Sequence, residues 1–138
     1  MSEQREQFQR RVEELVAQFE REVDRREWVT GRYPKKLRDE ARQVYEVPAL
    51  RLQKGPINLL LDPIAYDVPG AEGAADLYLM PGYDPTASIY FEDGRWVIHY
   101  AFPPDPFETQ SVIETQILPL SAETINQVLN SIAEHAVP

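Results

Sequence analysis

Apolar residues between positions 3 and 27 recur every three or four residues, so Phe8, Val12, Leu15, Val16, Phe19 and Val23 fall on one side of a helix. Ser2 is a candidate N-cap, Glu3 and Glu6 suit the positive end of the helix dipole, and Gly31 and Pro34 limit any continuation. Leu37, Ala41 and Val44 or Tyr45 repeat the spacing more briefly. They predict a second, shorter helix between Pro34 and Pro48.

From about Val47 the period becomes that of strands. Residues 49–53 and 57–62 flank the turn-like Lys54-Gly55-Pro56, and the run Leu59-Leu60-Leu61 suits a strand covered on both faces. A loop marked by Pro69-Gly70 and Gly73 leads to a strand over 76–80, and Pro81-Gly82 marks another turn. Asp93-Gly94 between two β-rich runs is the signature of a two-residue hairpin turn. It sets Glu92 opposite Arg95, Phe91 opposite Trp96, Tyr90 opposite Val97, Ile89 opposite Ile98 and Ser88 opposite His99. The face with Phe91, Trp96, Ile89, Ile98 and Tyr100 is then core, and the opposite face is mixed. Strand character returns over 111–118, after which Ser121 caps a final helix with Ile125, Val128, Leu129 and Ile132 inward.

Consecutive strands without helical crossovers argue for an antiparallel meander. The expectation is one α+β domain over residues 1–138: a five- to six-stranded antiparallel meander sheet, with an N-terminal helical pair and a C-terminal helix packed on one face.

A chain of 138 residues with 43% hydrophobic content supports one core. With no cysteine, disulfides, thiolate metal sites and cysteine nucleophiles are excluded. No stretch approaches the roughly 20 apolar residues of a membrane span, and charged residues stand where a leader would be apolar. The expectation is no membrane role and a cytoplasmic address. The net charge of −9 weighs against nucleic acid as a partner. Residues 1–54 hold 13 of the 14 Lys and Arg against 11 carboxylates, a balance of +2, whereas the remainder sets 12 carboxylates against Arg95 alone, a balance of −11. Either the two portions neutralise each other by packing, the plainer reading, or the acidic one awaits a basic partner.

Walker loops, GxGxxG, HExxH and GxSxG motifs are absent, and no cofactor is implied. Ser88 opposite His99 is a minimal nucleophile-and-base pair; a cross-strand polar pair is the plainer account. Asp62, Asp76 and Glu92 are candidate ligands for a hard cation, against a default of solvated turn carboxylates. Phe8, Val12, Leu15 and Phe19 also follow the 4-3-4 spacing of a coiled coil, so the first helix is a candidate for self-association into a homodimer. Tyr90 and Tyr100 are further candidate interface anchors. The leading reading is a small acidic, non-catalytic protein-interaction or regulatory module, chaperone-like or inhibitor-like. The alternative is a small hydrolase or metal-assisted enzyme using His99 with Ser88 or nearby carboxylates.

Overall fold

A computed structural model describes residues 2–104, 107 and 113–136. Helix α1 (Glu3–Glu22) begins where Ser2 accepts a hydrogen bond from the Arg5 N–H, and its apolar side is buried throughout. It stops five residues short of the expected 27. At that point Asn126 accepts from the Asp24 N–H and donates to the Glu22 carbonyl, satisfying groups that a helix end leaves open. The chain then turns through Asp24, whose carbonyl accepts from the Glu27 and Trp28 N–H groups, and Trp28 drops into the core.

The segment after Trp28 is strand, which corrects the expected helical pair. β1 (Val29–Arg38) and β2 (Val44–Lys54) pair antiparallel over ten positions, from Val29↔Gln53 to Arg38↔Val44. Tyr33, Lys35 and Leu37 alternate half-buried with exposed neighbours, a two-residue period beneath the apparent helical spacing. As the outermost strand, β1 tolerates Pro34 without losing an interior ladder bond. Pro34 stands directly opposite Pro48. There the inward side of β2 changes over: Tyr45 and Val47 are buried before it, Leu50 and Leu52 after it. β2 meets β3 only from Leu50 onward, so the far half of the β1–β2 hairpin is an arm paired on one side.

β3 (Ile57–Ala65), β4 (Ala74–Leu79), β5 (Asp84–Glu92), β6 (Arg95–Tyr100) and β7 (Gln116–Pro119) continue the meander in chain order, giving seven strands where five or six were expected. The expected strand over 111–118 includes Ser111 and Val112, which lie outside the described residues. The Asp93-Gly94 turn has positive φ at both residues and produces the register read from sequence. Helix α2 (Ala122–His135) opens with a capping box in which Ser121 and Thr124 bond reciprocally.

Both helices share one hydrophobic core with the inward residues Leu50, Leu52, Leu59, Leu61, Leu77, Ile89 and Ile98. The opposite face of the sheet carries no helix among the described residues. Among the described residues, no helix is long and apolar enough to cross a membrane.

Candidate functional site

Alternation along the strands assigns the uncovered face. Leu60 and Asp62 on β3, Asp76 and Tyr78 on β4, Ser88 and Tyr90 on β5, and Val97 and His99 on β6 sit between the inward Leu61, Leu77, Ile89 and Ile98. Register then aligns Asp62 with Asp76, Asp76 with Ser88, and Ser88 with His99, a polar row running across four strands.

Each member of the row has a partner. Lys35 reaches over from β1 to Asp62 at 2.8 Å and donates to the Pro63 carbonyl. Asp76 accepts from the Tyr78 hydroxyl at 2.9 Å and from Ser88 Oγ at 3.4 Å, and among the described residues it has no ion-pair partner. His99 Nε2 lies 3.0 Å from Glu92 Oε1, with the imidazole edge-to-face against Tyr90 at 4.7 Å. Burial, then the bond to Asp76 and the charges of Asp76 and Asp62, push the Tyr78 phenol up to about 12. Burial and the Asp62 charge raise Tyr33 as well, against the opposing charge of Arg51. Both phenols are therefore protonated at neutral pH.

Ser88 and His99 therefore stand opposite each other as expected, but their side chains are engaged elsewhere, the hydroxyl with Asp76 and the imidazole with Glu92. Glu92 and His99 supply an orienter and a base, but the Ser88 hydroxyl is bonded to Asp76 and not to the imidazole. An acyl-transfer site also needs free donors for an oxyanion, and Ser88 lies mid-strand between two ladders that occupy backbone N–H groups. Of the candidate cation ligands, Asp62 and Asp76 are neighbours while Glu92 lies with His99. Among the described residues no three metal-ligating groups converge.

Phe8, Leu15 and Tyr100 are corrections as interface anchors: all three are in the core, Phe8 and Leu15 fully. The coiled-coil-like side of α1 packs against the chain's own sheet, and the Tyr100 hydroxyl bonds to Ser131. Tyr90 is half-buried on the uncovered face.

At the Tyr78 end of that face lies a groove of about 450 Å³, with β2 and β3 as its floor and Tyr33 and Tyr83 at its sides. Sequence reasoning misses both the groove and the arrival of Lys35, because the spacing between Pro34 and Pro48 predicts a helix there. The row was within reach: Leu60-x-Asp62 and Asp76-x-Tyr78 alternate about inward leucines, but their mutual register depends on the long loop between β3 and β4.

No protein-family profile matches the chain, and neither a curated protein nor a solved structure matches it.

Proposed function

We propose that this chain is a non-catalytic interaction module that holds a basic segment of a partner protein against the uncovered face of its sheet. The observation that carries this reading is the pair Asp62 and Asp76, side by side on that face with Lys35 as their one ion-pair partner among the described residues. Tyr78, Tyr83 and Tyr90 flank the pair and offer rigid, amphipathic contact area of the kind that anchors interfaces. The charge asymmetry of the chain supports the same reading. Among the described residues only Arg11–Glu72 and Lys35–Asp62 join the basic portion to the acidic one, so packing leaves most of the −11 uncompensated.

The test is a photo-reactive amino acid placed at Tyr83 or Tyr90, with the exposed Glu14 of α1 as the control position. A discrete cross-linked protein from the sheet positions alone is expected, and Asp62→Asn with Asp76→Asn should abolish it. A product of twice the chain's mass would identify the partner as a second copy, whose basic β1 supplies the cations. Cross-links that form equally from both faces, or that survive the double substitution, rule the proposal out.

The Glu92–His99 pair, with Ser88 opposite His99 in the backbone register, supports a second reading, a small serine hydrolase. A fluorophosphonate probe that labels wild type, but not Ser88→Ala, would establish it. Under the interaction reading no label is incorporated.

A further inference from the structure

The groove beside the polar row differs from it in charge. Its floor includes Leu60, only 4% exposed although it points away from the helices. Arg51 also lines it, with its guanidinium 5.2 Å from the centre of the Tyr33 ring. Among the described residues Arg51 forms no ion pair, whereas its strand neighbours Arg32 and Lys35 are matched by Glu13, Glu20 and Asp62. Tyr83 stands at the other side, edge-on to Tyr78 at 5.9 Å and 59% exposed. Its φ of 54° lies in the left-handed region that bulky residues avoid, as the turn between β4 and β5 requires. Asn58 and Met80 also line it.

Two aromatic side walls, an apolar floor and one unmatched guanidinium describe a site for a flat apolar body that ends in an anion. Arginine reads a carboxylate through paired N–H donors, and its guanidinium is already held over an aromatic ring. A volume of about 450 Å³ is within the range of small-molecule sites and admits a bicyclic ring. We propose that the groove binds a planar aromatic carboxylate, with its ring over Leu60 between Tyr33 and Tyr83 and its carboxylate on Arg51. This goes beyond the interaction reading and does not depend on it.

Met80 provides a direct probe, because the chain has only two methionines. With ¹³C-methyl methionine in the full-length chain, titration with 2-naphthoate should shift the Met80 methyl signal saturably. The uncharged 2-naphthamide should bind at least about tenfold more weakly, the size of one charge-assisted hydrogen bond. Arg51→Gln should weaken naphthoate to the same extent. Tyr83→Ala, in an exposed turn, serves as a second variant if Arg51→Gln disturbs the strand. A Met80 signal that stays fixed up to the probe's solubility limit overturns the proposal, as does equal affinity of the wild type and the Arg51 variant. Neither outcome bears on cross-linking from Tyr90.

Discussion

Tyr78 carries the clearest electrostatic signature on the open face, and it can be read by titration. Its phenol is pushed up to about 12 by burial first and by Asp76 second, so Asp76→Asn should lower it while leaving it above the ordinary value of 10.0. Tyr45, enclosed near Asp39 and Glu40, also reaches about 12. A group whose folded pKa exceeds its unfolded value contributes stability that is complete below the unfolded value and lost as pH rises through the folded one. Denaturant midpoints should therefore hold up to about pH 10 and fall between there and about pH 12. Asp76→Asn should soften the fall. A midpoint unchanged across that interval would contradict the burial of both phenols.

Short elements with their own chemistry were legible in the sequence, and elements defined by their neighbours were not. Asp93-Gly94 specifies its hairpin unaided, because few residues besides Asn, Asp and Gly occupy the left-handed region at low cost. Gly94→Ala, which meets no nearby atom but keeps a φ of 80°, should cost about 1–2 kcal/mol in a denaturant melt. Ser121 likewise announces α2, and the structure adds Thr124 as its reciprocal partner. Residues 29–47 misled because β1 is an outermost strand rich in Arg and Lys, with no fully buried residue to mark its period. Leu37, Ala41 and Val44 happen to follow helical spacing, yet Leu37 and Val44 face each other's strand across the turn that contains Ala41. The end of α1 was unreadable for another reason, since it is set by Asn126, a hundred residues away. Asn126→Ala strips partners from the Asp24 N–H and the Glu22 carbonyl together. It should destabilise by about 2–3 kcal/mol in equilibrium unfolding, more than an exposed asparagine would. The candidate site divides in the same way: the hairpin register of Ser88 and His99 was accessible, whereas the company of Asp62, Asp76 and Lys35 required the sheet to be assembled.

Across the sheet, support is uneven. β3, β4 and β5 are paired on both edges, but beyond Pro34 and Pro48 the β1–β2 arm has no third strand beside it and is held by its own ladder, by the buried Tyr45 and Val47, and by side-chain contacts: Gln9 to the Glu46 carbonyl, Arg5 to Asp39, Lys35 to Asp62 and Tyr66 to Glu40. Native-state hydrogen exchange should show the arm opening at lower free energy than Leu61, Leu77 and Ile89, with those central amides tracking global unfolding. Equal protection of the arm and the centre would mean that the hairpin is locked to α1 more firmly than these contacts imply. The arm's free edge displays Lys36 and Arg38 beside a proline, a combination that discourages stray strand pairing.

The meander joins each strand to the one made just before it, so hairpins can close in turn as the chain leaves the ribosome. The lid over those hairpins cannot. Trp96 donates to the Arg11 carbonyl and Asn126 bridges the Asp24 turn, which ties α1 and the turn after it to residues made 85 and 102 positions later. Until α2 emerges, the apolar side of α1 and the inward leucines have no complete cover, and the nascent chain must carry that greasy surface unsealed. Stalling translation before the α2 residues 122–135 have left the ribosome should leave a protease-sensitive, chaperone-bound species, and releasing the stall should cure it.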